Sequence, residues 1–144
     1  MVQVNVSAGG VPKLPNDVAR IAKWGIDGDA HSDLTVHGGP HMALCLFGIE
    51  AIERLQSEGH PIAPGGAGEN LTTTGVEWSL LPLGTRALIG QQVEIELSGD
   101  AGPCKTIRGN FSDGRFKRMS LDLHPSDSRM YARVLREGEI RAGD

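Results

Sequence analysis

The stretch Gly102-Pro103-Cys104-Lys105-Thr106-Ile107 sets one of only two cysteines in the 144-residue chain between a proline and a lysine. A sulfur that attacks a substrate or binds a metal must be thiolate, and an ordinary thiol with a pKa of about 8.5 is mostly protonated at neutral pH. Nearby positive charge is the usual remedy. From Lys105 to Arg118 the chain carries five cations, Lys105, Arg108, Arg115, Lys117 and Arg118, against a single carboxylate, Asp113. Lys105 and Arg108 are the ones placed to ionise the thiol or to hold an anion beside it. Arg115, Lys117 and Arg118 read equally well as a solvated face. Cys45, between Leu44 and Leu46 in an apolar run, reads as core packing.

A second group of candidate donors lies between Ile26 and Pro40, in IDGDAHSDLTVHGGP, with His41 just beyond. Asp27, Asp29, His31, Asp33, His37 and His41 are hard carboxylates and imidazoles close together in the chain. No Cys-x-x-Cys accompanies them, and the spacing lacks the glycine and final glutamate of a calcium loop. A catalytic zinc and a set of turn-capping side chains around Gly38-Gly39 are both open readings. Gly65-Gly66-Ala67-Gly68-Glu69-Asn70 would let backbone amides approach a phosphate or a flat heterocycle, although no phosphate-binding loop motif is present.

The elements that must position these residues are short. Twenty glycines and eight prolines against three phenylalanines, two tryptophans and one tyrosine suit a β-rich fold with tight turns. Alternation predicts strands over 2–6, 18–24 and 92–97, where Val93, Ile95 and Leu97 alternate with Gln92, Glu94 and Glu96, and 86–90 is a β-prone stretch before the last. The run from His41 to Phe47 predicts a strand buried on both faces, 69–75 a further β-prone stretch, and 130–135 a late strand followed by a short extended piece. One amphipathic helix is expected near 49–58, with Ile49, Ile52 and Leu55 inward and Gly59 as its cap. A chain this long, without a composition break, reads as one domain over 1–144. The net charge of −4 argues against a general nucleic-acid binder. No apolar run approaches a bilayer span and no leader pattern opens the chain, so the expectation is cytoplasmic, with free thiols and no membrane association.

Four segments together resemble the MOSC family, named after the C-terminal domain of molybdenum-cofactor sulfurase: GIDGDAHSDLTVHGGP with the following MALCLF, the glycine turn with GENLTTTGV, the Pro103-Cys104 step, and MYARVLREGEIRAGD. In this order they cover nearly the whole chain. The resemblance implies a mainly β fold, a closed β-barrel of MOSC type, in a short stand-alone member of bacterial type. It also makes Cys104 the match to the family's functional cysteine. Where relatives often carry an aromatic residue before GENL and an arginine before the Pro-Cys step, this chain has Ala67 and Ala101-Gly102, leaving Lys105 or Arg108 to supply the basic group.

Two activities follow from the resemblance. In the first, Cys104 thiolate is the protein's ligand to the molybdenum of a molybdopterin-type molybdenum cofactor. Lys105 and Arg108 hold its phosphate, Glu69, Asn70 and Thr72 line the pterin, Gly38 and Gly39 complete the cofactor-binding set, and His37 and Asp29 handle protons. The reaction is then reduction of N-oxygenated substrates, with electrons from a partner protein. In the second, Cys104 carries sulfane sulfur as a persulfide, taken from a cysteine desulfurase that keeps the pyridoxal phosphate, for metal–sulfur cofactor assembly. A non-catalytic barrel that binds a small ligand or a protein is the third reading. The chain is thus expected to be a molybdenum-dependent oxidoreductase, a sulfur transferase or a binding module.

Overall fold

The computed structural model describes residues 1–7, 10–29 and 40–144. The strands are β1 (Gln3–Val6), β2 (Leu14–Asn16), β3 (Val18–Ala22), β4 (Gly25–Ile26), β5 (Leu44–Gly48), β6 (Leu71–Thr73), β7 (Arg86–Ile89), β8 (Val93–Ala101), β9 (Arg129–Arg136) and β10 (Gly138–Arg141). The α-helix α1 spans Ile49–Ser57 and buries Ala51, Ile52 and Leu55. It stops as the sequence predicts, with Gly59 at φ +94° just past its end.

Seven strands form a mixed sheet in the order β2-β1-β6-β5-β9-β8-β7, in which only β5 and β6 are parallel. A second sheet runs β10-β3-β4. Among the described residues nothing pairs the edge strands β2 and β7 with each other, so the sheets are not closed into the expected barrel. Leu14-Pro15-Asn16 is short and carries a proline, which suits an edge strand. The fold is otherwise mainly β, as expected. The run at 41–47 divides into a 3-10 turn over Pro40–Met42 and then β5, and β8 continues four residues beyond Leu97 past a register irregularity.

Register sorts the large sheet into two faces. Leu46 lies opposite Met130 and Leu71, Leu44 opposite Ala132, and Val4 opposite Leu71. These residues join Ile95 and Leu97 in a core that also takes Ile21, Ile26 and Ile140 from the small sheet. One residue out of step, Cys45 lies opposite Tyr131, Phe47 opposite Thr72, and Arg129 opposite Ala101. Because neighbouring strand residues point to opposite sides, this second set belongs to the other face. There Phe47 packs with Ala51, Ile52 and Leu55 of α1, with Ile107 and Met119 from 3-10 segments, and with Phe111 just after the first of these. Beside that apolar patch, the same face carries the polar residues of the candidate site.

Candidate functional site

Cys104 stands where the extended chain leaving β8 turns into a 3-10 segment, Lys105–Asn110. It is partly exposed, while Ile107 three residues later is buried against Phe47 and α1 and anchors the segment. Thr106 Oγ1 lies 2.8 Å from its sulfur. Lys105 and Arg108, the cations expected to serve the thiol, are exposed on the same segment. The other thiol is the buried one: Cys45 is 6% exposed, and burial pushes its pKa up to about 11, which keeps it protonated. The buried Cys45 and displayed Cys104 expected from their flanking residues are matched by their exposure.

Beneath the Cys104 turn, the polar face of the sheet is closely bonded. Arg129, 7% exposed, donates from Nη1 to the carbonyl of Ala67 at 2.6 Å and from Nη2 to the carbonyl of Gly102 at 2.9 Å. A basic side chain thus reaches the residue before Pro103 from β9, at the place where Ala101-Gly102 lacks one in sequence. Ser128 Oγ donates to Asp100 Oδ1 at 2.7 Å. Tyr131 follows on the same face, half-buried, and its phenol is pushed up to about 12, first by burial and then by the nearby Cys45. Its hydroxyl is therefore neutral at physiological pH.

Glu69, Asn70 and Thr72, the residues expected to line a pterin, are all buried. Glu69 Oε1 accepts from the Gly65 amide at 2.6 Å and from Thr72 Oγ1 at 2.9 Å, while Oε2 has no partner among the described residues. Burial raises the Glu69 carboxyl above its ordinary range, and the Gly65 and Thr72 hydrogen bonds oppose it. Asn70 accepts from the Cys45 amide at 2.9 Å and donates to Asp29 Oδ2 at 2.9 Å. Asp29, expected to move protons, is held by Lys13 Nζ at 2.6 Å and by the Ser7 amide at 3.0 Å. His31, Asp33, His37, Gly38 and Gly39 lie outside the described residues.

The glycine turn is packed by the chain itself. Gly65 sits at φ +84°, and a Cβ there would meet the Lys13 carbonyl oxygen at 2.1 Å. A Cβ on Gly66 would meet Asn110 Oδ1 at 2.5 Å. These glycines therefore permit close approach of this chain's own backbone, with Lys13 N–H donating to Gly65 O at 2.8 Å.

The model of the MOSC domain matches residues 33–144. The chain belongs to the MOSC domain family. Among known proteins, the protein YflK of Bacillus subtilis (strain 168) is 28% identical over 139 residues, covering 93% of this chain and 60% of YflK. Crystal structures of YiiM from Escherichia coli and from Geobacillus stearothermophilus superpose with TM-scores of 0.71 and 0.70, at 22% and 25% identity. They cover 98% and 99% of this chain, and it covers 64% and 70% of theirs. The YuaD protein of Bacillus subtilis has the same fold at a TM-score of 0.77 and 19% identity, over 99% of this chain and 90% of its own. The chain thus spans less than two thirds of the length of YflK and of E. coli YiiM.

Sequence reasoning missed Lys13, Asn5, Arg129 and Tyr131. Lys13 falls in a stretch of turn residues, and Asn5 in an alternating strand whose polar positions read as solvent-facing. Met130-Tyr131-Ala132-Arg133 carries the one available signal, since its alternation puts Arg129 and Tyr131 on one face.

Proposed function

We propose that this MOSC domain works in molybdenum-cofactor chemistry, with the Cys104 thiolate as the protein's ligand to the metal. The observation that supports this most is the contrast between the cysteines: in a MOSC-domain chain, one thiol is sealed in the sheet and the other is displayed on a turn tied down by Arg129 and Ile107. Among the described residues no group of three or more His, Cys, Asp and Glu side chains could hold an ion by itself. A metal that arrives with a pterin dithiolene needs only one protein donor, and a soft thiolate suits it, so the residues present fit such a group. The cofactor would supply two-electron, oxygen-atom chemistry.

Around it the chain's own residues have distinct tasks. Lys105 and Arg108, both exposed beside Cys104, bind the cofactor's phosphate. Glu69, Asn70 and Thr72 act from below, fixing the glycine turn and the Asp29 carboxylate rather than offering exposed donors. Asp29 and His37 remain the proposed proton-handling groups, and a partner redox protein supplies electrons for reduction of an N-oxygenated substrate to its parent compound and water. Protein purified from a host that makes molybdenum cofactor should carry molybdenum near one per chain, and Cys104→Ser should lose most of it; equal loading in the two proteins overturns the assignment.

The partial exposure of Cys104 also supports the second reading, a sulfur carrier. Its thiolate would attack the outer sulfur of a persulfide on a pyridoxal-phosphate-dependent desulfurase, releasing the desulfurase thiolate and leaving a persulfide on Cys104. Intact mass after incubation with a desulfurase and free cysteine should then rise by one sulfur atom. An unchanged mass removes this reading, and failure of both tests favours a non-catalytic binding module.

A further inference from the structure

Both readings use Arg129 only as a tie on the Cys104 turn, although its guanidinium is the one cation buried at that turn among the described residues. Both of its hydrogen bonds go to neutral carbonyls, Ala67 O and Gly102 O, and its Nε has no partner among the described residues. A buried guanidinium is costly unless paired, and these carbonyls satisfy its donors without cancelling its charge. Of the nearby carboxylates, Asp100 accepts from Ser128 Oγ, and Glu69, on which the Arg129 charge acts, is held toward its neutral form by burial and bonds Gly65 and Thr72 instead. Arg129 makes no ion pair among the described residues. The two carbonyls belong to turns far apart in sequence, so one fork joins the glycine turn that leads into Glu69 to the turn that carries Cys104.

We propose that Arg129 is the positioning residue of Cys104, fixing its turn and placing a positive charge that no carboxylate contacts behind the thiol, so that the site prefers anionic over neutral reactants. This rests on Cys104 being the reactive sulfur. The anionic class includes phosphate-bearing cofactors and sulfur anions alike.

The test needs no cofactor. Cys104 is alkylated in the folded protein at one fixed pH with iodoacetate, which is anionic, and with iodoacetamide, which is neutral, and the two rates are read by peptide mass spectrometry. Arg129→Met should lower the iodoacetate-to-iodoacetamide rate ratio by about threefold or more, and Arg129→Lys should restore the ratio by returning the charge. A purely structural role would speed or slow both reagents by the same factor and leave the ratio alone; that result, or a ratio unchanged in Arg129→Met, overturns the proposal. Should Arg129→Met fail to fold, Arg129→Gln keeps hydrogen-bonding capacity without charge and carries the same expectation. If wild-type Cys104 reacts with neither reagent, the functional assignment of Cys104 fails instead, so the two failures are distinguishable.

Discussion

Lys13 Nζ lies 2.6 Å from Asp29 Oδ2, with both side chains less than a tenth exposed. The pair joins the start of the chain to Asn70, which shares Asp29 Oδ2, and through it to the backbone of Cys45. A buried ion pair is weak evidence for net stability, because desolvation offsets attraction, but removing one partner strands the other charge. Lys13→Met should therefore cost about 3–5 kcal/mol in urea unfolding, and the double variant Lys13→Met/Asp29→Leu should recover part of that loss. A loss below about 1 kcal/mol in the single variant contradicts the buried pairing.

Glu69 gives the stability a pH dependence of defined sign. Its folded carboxyl is raised by burial, so the folded chain holds its proton more tightly than the unfolded one. The stability from this group is full below the ordinary glutamate range, about pH 4.3, and is lost as pH rises through the folded value. Glu69→Gln retains an oxygen to accept from Gly65 and Thr72 and cannot ionise. Its stability relative to wild type should improve in parallel urea titrations as pH rises above the ordinary glutamate range, about pH 4.3, and level off once the folded carboxyl has ionised. A difference that stays constant from the ordinary glutamate range upward would show that burial does not raise the Glu69 carboxyl.

Two glycines with similar backbone angles should respond differently to alanine. Gly65, at φ +84°, has the Lys13 carbonyl in the space a Cβ would take, whereas Gly114, at φ +71°, has nothing within 4 Å. Gly114→Ala carries only the left-handed backbone cost, about 1–2 kcal/mol. Gly65→Ala adds a backbone collision and should lower thermal stability well beyond that or prevent folding. Equal shifts in melting temperature would mean that the glycine turn is not packed on Lys13.

The sequence exposed those features that are governed by local pattern. Alternation located β1 and β8, β-prone composition located β7, the three-residue spacing of Ile49, Ile52 and Leu55 located α1, and the flanks of Cys45 and Cys104 separated a buried thiol from a displayed one. It did not expose β2 and β4, which are too short to carry a period, or the 3-10 segments after Cys104. The larger omission was the polar floor of the site. Asn5, Thr72 and Arg129 occupy positions where alternation normally means solvent, and only long-range register reveals that helix α1 and the Cys104 turn cover that face. The same register explains why Glu69, Asn70 and Thr72, chosen as ligand-facing from their motif, are bonded to one another and to neighbouring strands. Closure of the sheet likewise depends on pairings between distant strands, and the described ladders leave it open.

The central claim is that Cys104 supplies a sulfur ligand to a metal that brings its other ligands with it. X-ray absorption at the molybdenum edge on cofactor-loaded protein counts those sulfurs directly. The account predicts one more molybdenum–sulfur scatterer in wild type than in whatever loaded fraction Cys104→Ser retains, with Cys45→Ser matching wild type. The same sulfur count in wild type and Cys104→Ser would contradict it.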